Sequence, residues 1–238
     1  MSTARTVQFA PLGDRAITIT LSDAIDEATN RRVRAIAALL DAHALSCVVD
    51  LVPAFVSIAL HYDPALVGGV DTDASPYERL VTILEPLLAD VHDDELPPPR
   101  IVEIPVCYGG DLGPDLEDVA KQHAIGVDDV VRIHAAGDYL VYMVGFMPGF
   151  AYLGGLAPEL VTPRRSSPRT AVPAGTVGIG GQQTGVYPLI SPGGWNLIGR
   201  TPLRIFDASR EPASLLATGD RVRFVPISRR DFDRWTDS

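Results

Sequence analysis

Lysine is almost missing from this sequence: of its 20 basic residues only Lys121 is a lysine, and the rest are arginines. Lys121 sits in VAKQH, so the phosphate-binding loop G-x-x-x-x-G-K-[ST] is excluded. Cysteine is nearly as scarce. Cys47 and Cys107 are far apart and belong to no CxxC, which indicates neither a zinc site nor a disulfide framework. The histidines His43, His61, His92, His123 and His134 are scattered and form no H-E-x-x-H, so no metal-ligand set is expected. There is no G-x-S-x-G elbow either. No apolar run reaches the roughly 18 residues that a membrane span requires, and MSTARTVQFAPLGDR has no secretory apolar stretch. A cytoplasmic protein without membrane contact is the expectation.

What is present is a globular composition, 46% hydrophobic and 21% charged, with a net charge of −10. The acid is unevenly spread. Residues 1–100 hold 7 basic and 15 acidic side chains (−8), whereas residues 101–238 hold 13 and 15 (−2). Such a balance repels nucleic acid. Between 145 and 206 the sign reverses: Arg164, Arg165, Arg169, Arg200 and Arg204 face only Glu159, an island suited to a small anion.

The first hundred residues read as a small α+β domain. TVQFAPLGDRAITITL gives two short strands around a Gly-Asp turn, with Ile17, Ile19 and Leu21 alternating against threonines. Ser22 is the expected N-cap of a helix over 23–42, whose Val33, Ile36, Ala37 and Leu40 share a face. SCVVDLVPAFVSIALHY reads as strand, break at Pro53, strand; SPYERLVTILEPLLADV reads as a second helix opened by Pro76. Domain boundaries are expected at 1–92 and 101–238, joined by a Pro-rich linker at 93–100. Beyond the linker, IVEIPVCY is a strand and DLEDVAKQHAIGVDDVVRIHAAG two helices split by Gly126. From Tyr139 onward, short apolar runs broken by Gly and Pro predict a β-barrel or sandwich.

Three segments carry the chemistry: GFMPGFAYLGGL (145–156), TPRRSSPRTAVPAGTVGIGGQQTGVYP (162–188) and SPGGWNLIGRTPLRIF (191–206). Turn residues alone account for the glycines and prolines. They do not account for the arginines and aromatics gathered with them. Arg164 and Arg169, on a proline-stiffened loop, suit a carboxylate or phosphate. Gln183, Tyr187, Trp195 and Asn196 offer amide groups and a stacking face, and Gly180 and Gly181 leave backbone donors bare. Phe146, Pro148, Gly149, Phe150 and Tyr152 form a turn and an aromatic wall, facing either a ligand or a partner. GTVGIGG is not a dinucleotide fingerprint, because Gln183 occupies the third glycine position. His134 closes an expected helix and reads equally as a dipole cap or as an acid or base.

Together GF-x-PGF-x-YLGGL, PR-x4-PR-x-x-VPAG-x-VGIGG-x-QTG-x-YP and SPGGW-x-LIGRTP resemble the 5-oxoprolinase B-subunit family. It is also known as allophanate hydrolase subunit 1 and includes a bacterial sporulation-kinase inhibitor. PLGDRAITI and DLVPAFVSIALHYDP extend the resemblance over nearly the whole chain. Thr176 stands where that family usually has serine, keeping a hydroxyl. The resemblance implies an α+β N-terminal domain and a mainly-β cyclophilin-like barrel. It also implies ATP with magnesium as cofactor, a larger C-type partner with a related barrel, and a separate A-type partner. The implied reaction is opening of 5-oxo-L-proline to L-glutamate. The same unit occurs as the carboxyltransferase part of biotin-dependent urea carboxylases, and a third possibility is a non-catalytic kinase inhibitor. A Ser-Ser-Lys amidase centre does not match the single lysine.

Overall fold

A computed structural model describes residues 7–69, 73–89, 91 and 96–235. The chain divides into two compact units, Met1–Pro98 and Pro99–Ser238. Of the Pro-rich run, residues 93–95 lie outside the described residues, and residues 97–100 are exposed and irregular.

In the first unit, strands β1 (Gln8–Pro11), β2 (Ala16–Thr20), β3 (Val48–Pro53) and β4 (Ser57–Tyr62) form one antiparallel sheet in the order β1-β2-β4-β3. Alternation decides which face is covered: Ile17 and Ile19 of β2 and Ile58 and Leu60 of β4 are fully buried. Against them pack helices α1 (Glu27–His43) and α2 (Pro76–Ala89), through Val33, Ile36, Leu40, Leu80 and Leu84. The helix expected from residue 23 begins four residues later. Asp26 accepts from Thr29 N–H at 2.7 Å, a stronger N-cap than Ser22, whose hydroxyl accepts from Ala24 N–H within a local turn. Helix α2 opens on a reciprocal capping box, Ser75 N–H donating to Glu78 and Glu78 N–H to Ser75.

The second unit is built on strands β5 (Ile101–Tyr108), β6 (Tyr139–Val144), β7 (Ala151–Gly154), β8 (Arg169–Val172), β9 (Thr176–Gly180), β10 (Gln183–Val186), β11 (Ser191–Gly193), β12 (Asn196–Arg200) and β13 (Arg221–Pro226). Seven of them close into a barrel in the order β10-β7-β6-β13-β5-β12-β9. Only the β13–β5 pairing is parallel, Arg221 opposite Ile101 through Pro226 opposite Val106. The other two, β8 and β11, pair as a separate ribbon. Helices α3 (Leu116–Gln122) and α4 (Val127–Ala135) follow β5, split by Gly126 as the sequence predicts, and α5 (Arg229–Asp233) ends the described fold. Inward side chains such as Ile104, Tyr139, Leu153, Ile179, Ile198 and Phe224 fill the barrel. The overall class is thus an α+β unit followed by a mainly-β barrel.

Candidate functional site

Strands β9 and β10 carry an unusual outer face. Val177, Ile179, Thr184 and Val186 point into the barrel, so the alternate positions point out, and these are Gly178, Gly180 and Gly185. Space, not backbone freedom, explains them. A Cβ on Gly180 would meet the Trp195 indole at 2.5 Å, and one on Gly185 would lie 3.2 Å from the same ring. The glycines make a flat shelf on which the indole lies. Phe150 and Tyr187 meet Trp195 edge-on at centroid distances of 5.6 and 6.4 Å, and Tyr152 stands 4.9 Å from Phe150. With Val172 and Leu197 these rings form a second apolar cluster outside the barrel core.

Over this cluster opens a cleft of about 220 Å³, lined by Phe146, Phe150, Tyr152, Tyr187 and Trp195, by Arg164, Arg165 and Pro168, and by Pro192, Gly193 and Gly194. All three chemistry-bearing segments therefore converge. Phe146 stands at the rim, 66% exposed, with φ at +70°, a conformation uncommon for any side chain but glycine. Gly149, φ +78°, turns the chain beneath it, with Phe206 too close to admit a Cβ. Pro148 is exposed beside that turn and Gly149 is buried. Desolvation raises the Tyr152 and Tyr187 phenols above their usual range, offset in part by Arg164 at Tyr152 and by the Trp195 backbone hydrogen bond and then Arg164 at Tyr187. Both stay protonated near neutrality and can donate.

The arginine island resolves into different duties. Arg169 grips Asp115 with two parallel bonds of 2.9 and 2.8 Å, and Arg165 adds a third at 2.9 Å. Arg200 donates to the Ala174 carbonyl, and Arg204 pairs with Asp207. Among the described residues no carboxylate pairs with Arg164, which is left as the open cation of the cleft. Asp115 is the residue that sequence reasoning misses. It lies outside the 145–206 window in which the charges reverse, in a segment that reads simply as a helix start.

The remaining candidates lie elsewhere. His134 is 0% exposed, inside the barrel, stacked on Phe224 at 4.6 Å. Thr184 spends its proton on the Gly178 carbonyl, so its oxygen accepts from His134 Nε2–H at 2.9 Å, and Nδ1 accepts from Tyr108 at 2.8 Å. Desolvation lowers its pKa to about 3, so the ring is a neutral core member, and the cleft does not include it. Asn196 Nδ2 donates to the carbonyls of Pro163 and Ile179, fixing the arginine loop to β9. Gly181 N–H donates to Thr162 O at 2.7 Å, and Gly180 and Gln183 pair across the β9–β10 hairpin. None of these four lines the cleft; Gly180 lies under its floor.

Comparisons with known proteins give the family and the fold. The carboxyltransferase domain family, subdomains C and D, matches residues 7–216. The 5-oxoprolinase B subunit of Bacillus subtilis (strain 168) is 44% identical over 235 residues, 97% of each chain. The solved structure of TTHA0988 superposes with a TM-score of 0.75 at 36% identity, covering 90% of this chain but 40% of that longer one. Kluyveromyces lactis urea carboxylase, at 20% identity and a TM-score of 0.76, shares the fold over 95% of this chain and 22% of its own. On sequence, fold and length alike, this chain belongs to the carboxyltransferase-domain family and, within it, to the B-subunit proteins of 5-oxoprolinase.

Proposed function

We propose that the chain is the B subunit of an ATP-dependent 5-oxoprolinase. It opens 5-oxo-L-proline to L-glutamate together with the C-type and A-type partners, and is inactive alone. The observation that carries this reading is the Arg164 guanidinium, which pairs with no carboxylate among the described residues, above an aromatic cleft of about 220 Å³. That size is below the roughly 300–1,000 Å³ of drug-sized ligand sites and suits a small ring. Arg164 meets the carboxylate of the lactam. Trp195 and Tyr187 flank its ring, and the Tyr152 hydroxyl donates towards the amide. Holding the lactam in one orientation, with water excluded by the aromatic wall, is this chain's contribution to the barrier.

ATP would supply the activation that an unreactive lactam needs before water can add to its carbonyl carbon and the ring C–N bond can break, the nitrogen leaving as the amine. The residues here do not fit that nucleotide. The cleft offers one open cation, the sequence has no phosphate-binding loop, and among the described residues no three His, Cys, Asp or Glu side chains converge to hold magnesium. ATP and its metal are therefore assigned to the partner proteins in this proposal, and no step is drawn through them. A second reading, transfer of a carboxyl group to a urea-like amide, draws support from the family's description as a carboxyltransferase domain.

The deciding assay is glutamate formation from 5-oxoproline by the three co-purified proteins with ATP. Turnover that needs all three supports the proposal; no turnover, with biotin-dependent carboxylation of an amide instead, replaces it by the second reading.

A further inference from the structure

The loop that carries Arg164 is exposed and irregular, yet its function requires one position. Its neighbours supply the restraint. Arg165, next in sequence, and Arg169, at the far end of the loop, both bond to Asp115. Asp115 stands at the start of α3, where an aspartate ordinarily caps the helix, but its carboxylate makes no capping bond. Instead Oδ2 accepts from Leu197 N–H at 2.7 Å, and the Asp115 N–H donates back to the Leu197 carbonyl. Leu197 lies two residues beyond Trp195. The Arg165 N–H, for its part, donates to the Gly194 carbonyl at 2.8 Å. One buried carboxylate, its side chain 3% exposed, thus ties both ends of the arginine loop to β12, which follows directly on Trp195. Burying a carboxylate is costly unless it is fully bonded, and here four donors satisfy it.

We propose that Asp115 is a positioning residue for anion binding: it engages Arg165 and Arg169 through hydrogen bonds and holds their loop so that Arg164, the loop arginine it does not bind, presents its guanidinium to a small carboxylate. The ligand class follows from geometry: the loop keeps a net positive charge, and a single guanidinium fork left unbonded over an aromatic cleft matches one planar carboxylate. This inference rests on the reading of the cleft as the ligand site.

The test is isothermal titration of the co-purified complex with 5-oxo-L-proline and with 2-pyrrolidinone, the same lactam without its carboxylate. Wild type is expected to prefer the carboxylate by at least about tenfold, the worth of a charged hydrogen bond. Asp115→Asn should lose that preference while binding 2-pyrrolidinone as before. Arg165→Gln, a milder change at a partly exposed partner, should lose part of it, and Arg165→Lys should restore it. On an Arg164→Ala background, Asp115→Asn should add nothing. Equal weakening towards both ligands, no change, or additive loss would overturn the positioning role. If Arg164→Ala abolishes the preference and Asp115→Asn does not, only this inference falls. If Arg164→Ala leaves the preference intact, the cleft reading falls and takes the inference with it.

Discussion

At the residue scale, the informative contrast is between charges that look alike in sequence. Arg164, Arg165 and Arg169 all sit in PRRSSPR, and spacing alone cannot say which of them is spoken for. The answer lies with Asp115, about fifty positions away, and pairing over that distance leaves no local signature. His134 shows the same limit. Its place at the end of α4 is legible, but the Tyr108, Thr184 and Phe224 side chains that enclose it come from three separate strands. Burial makes a pH prediction possible. The folded ring binds its proton only near pH 3, whereas the ordinary value is 6.5. As pH falls, the unfolded chain therefore takes up the proton first. The stability this group contributes is whole above about 6.5 and declines towards 3, by at most about 1.4 kcal/mol per pH unit. In urea unfolding at pH 7, 6 and 5, the wild-type midpoint should fall more steeply than that of His134→Gln; parallel curves would contradict the assignment.

At the scale of elements, most of the molecule could be read directly. The two helices and four strands of the first unit follow from period and caps, the one slip being a choice between Ser22 and Asp26 as cap. The barrel strands follow from short apolar runs between glycines and prolines. Legibility ends at the outer wall, because a glycine in a strand looks like a turn until the ring lying on it is seen. Gly180 gives a sharp test. Its φ lies outside the left-handed region, so only the 2.5 Å approach to Trp195 opposes a side chain. Gly180→Ala should destabilise by about 1–3 kcal/mol, as overpacking does, and shift the tryptophan emission. Gly68→Ala, with nothing within 4 Å of the added carbon, should stay within about 0.5 kcal/mol. Equal thermal midpoints for the two variants would contradict the shelf.

At the scale of the whole molecule, each unit holds its own hydrophobic core, and the division falls at Pro98–Pro99. Arg100, just past it, is bonded to Asp220 and to the Leu215 carbonyl, so a fragment 99–238 keeps the contacts that anchor its first strand. That fragment should melt cooperatively and retain the near-ultraviolet signal of Trp195; a broad, featureless melt would show that the barrel needs the first unit. The bare shelf has a further consequence for the chain's history. A surface made by leaving atoms out tolerates the loss of atoms above it better than any gain beneath it. Substitutions of the rings can reshape the cleft for a new amide one step at a time, while Gly180 admits almost no variant and Gly178 and Gly185 leave little room. Divergence of substrate within such a lineage should therefore be written in the aromatics and the arginine loop, over a floor that stays constant.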